Sequence, residues 1–118
     1  MGFDWKKYHE VGEHLKNYSE DEAYQRAAIS RYYYAYFNII RRYFEKKHYE
    51  IHSKYVHQKL IDELKNSLDD NEYQLSDYLK RFRGYRNNAD YDDKFKARNI
   101  QKTQKLIKDI DKILSKLQ

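Results

Sequence analysis

The sequence has no cysteine, no proline and only three glycines. Without cysteine there is no disulfide framework, no thiolate nucleophile and no cysteine zinc site. Without proline, and with so little glycine, almost nothing interrupts a helix. No run approaches the roughly 18 consecutive apolar residues of a membrane span. The opening MGFDWKKYHE has neither the apolar core of a secretory signal nor the composition of a transit peptide. These absences predict a cytoplasmic, all-helical chain forming one domain over residues 1–118.

What the sequence has in quantity is tyrosine: fourteen, against five phenylalanines and one tryptophan. A tyrosine buries its ring but keeps a hydroxyl that needs water or a partner, so this balance suits either a small bundle core or an adhesive surface. Charge is uneven along the chain. The net charge is +5, and residues 94–118 hold eight Lys or Arg against two Asp, a net of +6 that leaves −1 for residues 1–93. A basic terminal segment fits a polyanion partner. It fits the solvated outer face of a lysine-rich helix equally well.

Capping signals and apolar spacing predict an all-α, up-and-down bundle of about five helices. Asp4 can cap a first helix with Phe3 and Tyr8 as its hydrophobic staple. Ser19 and Glu22 have the spacing of a capping box for a long second helix, from about Glu20 to Lys47. Its middle, AAISRYYYAYFNII, is apolar nearly all round, so it should be the central rod. Ser53 can cap a third helix carrying Val56, Leu60, Leu64 and Leu68 on one side. The break Asp69-Asp70-Asn71 should precede a fourth, with Leu75, Tyr78, Leu79, Phe82 and Tyr85. A last helix should start near Asp92 or Asp93, its stripe running from Ile100 through Leu106 and Ile110 to Leu117. Its cations, among them Arg98, Lys105 and Lys112, fall mostly on the opposite side and are candidate contacts for RNA or a partner.

Several chemistries are excluded by spacing. HEVGEH (9–14) superficially resembles a zinc-protease helix, but His9 and His14 are five residues apart, about 140° around a helix, and cannot converge on one metal. His48 and His52 have the i, i+4 step only if one helix spans both, and HYEIHS reads as a junction. The trio Asp90, Asp92 and Asp93 is more simply explained by capping and the helix dipole than by a cation. No glycine-rich loop offers a phosphate cradle. Neither a metal nor a cofactor is expected.

RGYRNNADYDD (83–93) is the segment with chemical promise. Arginine stays charged and forks onto phosphate oxygens, so one guanidinium beside a ribose can stabilise charge as the 2′-hydroxyl attacks the neighbouring phosphate. Such cleavage also needs a proton carrier, for which histidine suits neutral pH. Here Arg86 and Asn87 are followed by Tyr91, whose ordinary pKa near 10 makes it a poor base at about pH 7. Arg86, Asn87 and Tyr91 are the candidate catalytic residues. Arg31, a charge set amid YYYAYF, should be costly if buried alone. It is expected near this segment, paired with Asp90 in a structural polar cluster.

Three stretches in this order, AISRYYYAYF (28–37), HSKYVHQKL (52–60) and FRGYRNNADY (82–91), resemble the HEPN superfamily. The closest likeness is to a branch with S-R-x-Y-Y-A-x-F on a long helix and R-x-x-A-D-Y later. Ser30, Arg31, Tyr33, Tyr34, Ala35 and Phe37 match the first signature. Arg86, Ala89, Asp90 and Tyr91 match the second, and His52-Ser53 matches a shorter element between them. The resemblance covers about residues 19–115. It implies a helical bundle, often a homodimer, in prokaryotic toxin–antitoxin or defence systems, in some cases with a nucleotidyltransferase-type antitoxin partner. Many members resemble metal-independent endoribonucleases using R-x(4–6)-H. Only Arg86 and Asn87 carry over from that motif, because no histidine follows His57.

Three functions follow as expectations: a HEPN-like component that binds RNA or a partner protein with weak or no catalysis; an active metal-independent endoribonuclease centred on Arg86, with Tyr91, Asp90 or a histidine of a neighbouring helix such as His52 or His57 moving the protons; and a pure protein-interaction module working through its tyrosines.

Overall fold

The computed structural model describes residues 2–117 of the chain, and among them there are five helices and no strand. They are α1 (Lys6–Tyr18), α2 (Glu22–Lys47), α3 (Val56–Lys65), α4 (Asp70–Tyr91) and α5 (Asn99–Leu117). The expected all-α bundle with a long second helix is what forms. α2 is the rod: Ala28, Ile29, Tyr32, Tyr33, Ala35 and Ile40 are fully enclosed, and α1, α4 and α5 pack against it.

Side-chain contacts give the helix directions. Arg26 near the start of α2 reaches the end of α4, while His48 just past α2 meets Glu72 at the start of α4, so these two helices are antiparallel. Gln58 and Arg83 make α3 antiparallel to α4 in the same way. Residues 48–55 run back along α2, with Ile51 O accepting from Arg41. That return lets α3 follow the direction of α2 and pack on α4.

Local chemistry explains most helix ends. Asp4 Oδ1 accepts from Lys6 N at 3.1 Å, and Phe3 meets Tyr8 edge-on at 5.5 Å, the expected cap and staple. α2 differs from expectation. Its cap is Asp21, which accepts from Ala23 N at 2.9 Å, whereas Ser19 accepts from Asp21 N one step earlier. An ionised carboxylate is the stronger acceptor at the positive end of a helix. Ser53 likewise accepts from Tyr55 N in the turn before α3 rather than capping it. Asp69 caps α4 through Asn71 N and Glu72 N. α3 ends at Lys65, which leaves Leu68 in the connection and fully exposed instead of on the apolar stripe.

The larger correction concerns residues 92–98, which form a loop, so neither Asp92 nor Asp93 starts α5. Asn88 explains it. Its amide nitrogen donates to Asp92 Oδ2 and Lys94 O, and its oxygen accepts from Lys96 N and Asn99 Nδ2. One buried amide thus satisfies the loop's polar groups and holds it in a non-helical path.

The core solves the tyrosine problem by pairing hydroxyls. Tyr32 donates to Glu13, Tyr36 to Asp111, and Tyr33 meets His57 Nδ1 at 2.7 Å. Burial, with Glu13 beside Tyr32 and Asp111 beside Tyr36, raises both phenols, so they stay protonated donors. Two glycines have opposite roles. A Cβ at Gly12 would come within 2.7 Å of the Tyr32 ring, so α1 needs a glycine to lie this close to α2. At Gly84 a Cβ would meet nothing within 4 Å. Gly84→Ala in mid-α4 should therefore raise unfolding free energy by about 0.5–1 kcal/mol through backbone entropy. Chemical denaturation checks this; an unchanged midpoint contradicts it.

Candidate functional site

α4 is unbroken through RGYRNNADY, which puts Arg86 and Asp90 one turn apart on one face. Arg86 Nε donates to Asp90 Oδ2 at 2.8 Å, and Nη1 to Asn87 Oδ1 at 3.2 Å. Nη2 donates to the Tyr34 hydroxyl of α2 and to the Tyr91 hydroxyl at 3.3 Å. The guanidinium also lies within 6 Å of the ring centres of Tyr33, Tyr34 and Tyr91. Every nitrogen of the fork has a partner in its own chain, and the side chain is 13% exposed. Its charge is met by Asp90, which in turn accepts from Ser30 Oγ at 3.2 Å.

Arg86, Asn87, Asp90 and Tyr91 are thus brought together, and Tyr91 is the most open of them. Arg31 is not part of the cluster. It is exposed, with its guanidinium 5.6 Å from the Tyr8 ring of α1, so the expected Arg31–Asp90 pair does not form. The reason is angular: Arg31 lies about 100° around α2 from Ser30, which faces α4. The residues that do tie α2 to this end of α4 are Arg26, Ser30 and Tyr34. Arg26 donates to Ala89 O at 3.1 Å, Asp92 O at 2.6 Å and Asp93 O at 2.9 Å, closing the carbonyl end of α4. The signal for all three was their i, i+4, i+8 spacing, one polar line down an otherwise apolar rod.

On the α3 side of Arg86 stands His57, which the sequence named only as a possible proton carrier. Its ring stacks on Phe37 at 3.9 Å between centroids, and Nδ1 faces the Tyr33 hydroxyl. Burial, then the positive charges of Arg83, Arg86 and Arg41, push its pKa down to about 4. Burial raises the Tyr33 phenol, so that hydroxyl keeps its proton, and its only hydrogen-bond partner is His57. Donation from Tyr33 to Nδ1 then leaves the histidine proton on Nε2. The outward face of the ring is a donor, not a base. Arg83 adds a guanidinium whose Nε is buried without a partner while Nη1 donates to Gln58. His52 is elsewhere, fully out in solvent beside Glu50.

The depressed His57 value has a thermodynamic consequence. The unfolded chain takes up this proton at about 6.5 and the folded chain only at about 4, so stability should fall as pH drops between those values. Melting across this range should show the decline, and His57→Gln should flatten it. An identical slope in the variant would contradict the assignment.

Arg98, just before α5, and Lys105 and Lys112 on its outer side are all exposed and seven residues apart, opposite the buried Ile100, Leu106, Ile107 and Ile110. Lys105 is loosely paired with Asp109 at 3.7 Å. At the start of α5, Lys96, Arg98 and Lys102 surround a cavity of ≈440 Å³. Among the described residues no three His, Asp or Glu side chains converge as a metal would need, and no helix is long and apolar enough to cross a membrane.

The fold and the site define a five-helix bundle whose arginine segment is locked by its own neighbours. Compared with protein-family models, curated proteins and solved structures, the chain finds no match in any of the three.

Proposed function

We propose that this chain is a HEPN-like module of a prokaryotic toxin–antitoxin or defence system that engages RNA by charge and does not cut it efficiently. The observation that carries the second half is the state of Arg86: four of its five N–H donors are engaged by Asp90, Asn87, Tyr34 and Tyr91. A transition-state stabiliser must have donors free for the developing oxyanion. The RNA half is supported by the exposed basic surface along α5 and the loop before it, where Arg98, Lys105 and Lys112 form a line and Lys96 and Lys102 thicken one end. The family assignment rests on the order and spacing of the three sequence signatures. A homodimer and a nucleotidyltransferase-type antitoxin partner rest on that resemblance alone.

RNA retention measured against salt tests the binding. Replacing Lys96, Arg98 and Lys102 together by Gln should weaken single-stranded RNA binding and reduce the log–log salt slope by about two, since each phosphate contact on a single strand contributes roughly 0.7. Wild-type protein that retains no RNA at low salt would overturn the proposal.

A second reading, an endoribonuclease, draws on one arrangement: His57 and Arg83 stand beside Arg86, and the Arg83 Nε has no partner. It requires His57 to leave its bond to Tyr33 before it can accept a proton. Cleavage abolished by both His57→Gln and Arg86→Met would favour this reading over the first.

A further inference from the structure

The other half of α2 lines a groove of ≈800 Å³, which lies between the start of α1, residues 39–47 of α2 and Leu117 of α5. Its α2 wall begins at Ile39, five residues or about 7.5 Å along the helix from Tyr34, which meets Arg86. Its volume is in the range of roughly 300–1,000 Å³ usual for small-molecule sites.

The wall chemistry is unusually one-sided. Ile39, Leu117, Phe3 and Trp5 supply the apolar surface. Phe3, Trp5 and Tyr8 meet edge-to-face in a closed triangle, with centroids 4.9 to 5.5 Å apart, so they form a fixed apolar wall. The polar groups are almost all cations. Lys6, Arg42 and Lys46 line the groove, and none of them forms an ion pair among the described residues. Arg42 reaches back over Gly2, where a Cβ would overlap its Nη2. The single carboxylate, Asp4, is occupied as the cap of α1. The Tyr43 hydroxyl donates to Glu72 and accepts from Lys47.

We infer that this groove binds a free single-chain anionic amphiphile, an alkyl chain ending in a carboxylate or phosphate. Charge complementarity sets the head group: among the described residues, three cations without an ion pair border an apolar trough that holds one carboxylate, Asp4. The absence of asparagine, glutamine, serine and threonine from the lining sets the body. A nucleotide would bring base and ribose donors that find few acceptors in this lining, where donors predominate, and their desolvation would oppose entry. An alkyl chain brings none. The inference stands apart from the RNA proposal, since it uses neither Arg86 nor the outer face of α5.

Trp5 is the only tryptophan in the chain, so its emission reports on this groove directly. The full chain is titrated with decanoate below its micelle concentration, with uptake measured in parallel by equilibrium dialysis. Decanol, decyltrimethylammonium, AMP and phosphatidylglycerol vesicles serve as the other arms. Decanoate should bind saturably with a Trp5 blue shift, and about tenfold more tightly than decanol. The double variant Arg42→Glu/Lys46→Glu should lose about tenfold in decanoate affinity and gain decyltrimethylammonium binding. Both positions are exposed. Arg42→Gln/Lys46→Gln gives the same direction of loss if the charge reversal disturbs the circular dichroism spectrum. No saturable uptake of decanoate, equal uptake of decanol, indifference to both double variants, competition by AMP, or a Trp5 response to vesicles alone would each overturn the inference.

Discussion

Glu72→Ala should lower the unfolding free energy by about 3–5 kcal/mol, the usual cost of removing one member of a buried, fully bonded charged group. Glu72 is 1% exposed and collects the ends of three segments. It accepts from Tyr43 and His48 at the end of α2, and from Ser67 in the connection before α4, while Lys47 lies 3.4 Å away. Without the carboxylate those donors lose the acceptor they share, and the buried space it filled is left empty. Glu72→Gln keeps the shape and part of the bonding, so its loss should be smaller.

The same residue sets an acid limit. Burial alone would raise its pKa, but the hydrogen bonds from Ser67, Tyr43 and His48 outweigh burial and hold it down at about 2, against 4.5 unperturbed. The stability it adds is complete above about 4.5 and is lost as pH falls through 2. Acid unfolding should therefore show two separable contributions, the His57 one at higher pH and the Glu72 one below it. Urea denaturation of the wild type and Glu72→Gln checks this: the stability difference should shrink as pH approaches 2. A constant difference would contradict it.

Arg86→Met should cost about 2 kcal/mol. Methionine fills much of the aliphatic volume, but Asp90 loses its counter-charge and the Tyr34 hydroxyl loses its donor. Partial exposure of Asp90 keeps the loss below that of a fully buried pair. The double variant Arg86→Met/Asp90→Leu should recover part of it, because the orphaned carboxylate is gone. A single variant as stable as the wild type would mean that the cluster holds nothing together.

Much of this architecture is legible in the sequence because periodicity and composition act locally. The apolar stripe of α5 and the all-round burial of α2 depend on which residues sit three and four apart, and both form as that spacing requires. Asp4 caps as expected for the same reason, and the break at Asp69-Asp70-Asn71 precedes α4 as expected, with Asp69 as its cap. The misses come from partners outside the local pattern and from competition between neighbouring acceptors. Asn88 turns residues 92–98 into a loop through bonds to four residues that no local pattern connects to it. Ser19 has the spacing of a capping box, yet Asp21 takes the place because a carboxylate two residues on competes better. In the candidate site, Arg86 and Asp90 have the i, i+4 spacing that brings them together on one helix face, whereas Arg31 was matched to Asp90 by charge. Once α2 and α4 are antiparallel, Ser30 faces Asp90 and Arg31 faces Tyr8. His57 was visible as a residue, but only packing against Phe37 and Tyr33 decides that it is neutral, with its proton pointing outward.

One measurement bears most directly on the function. Wild type and Arg86→Met, matched for folded fraction, are incubated without metal on the same labelled single-stranded RNA, and bound and cut RNA are quantified together. The account predicts salt-sensitive binding by both proteins and cutting by neither above background. Steady cutting by the wild type, lost in Arg86→Met, would contradict it and return the guanidinium to the reaction.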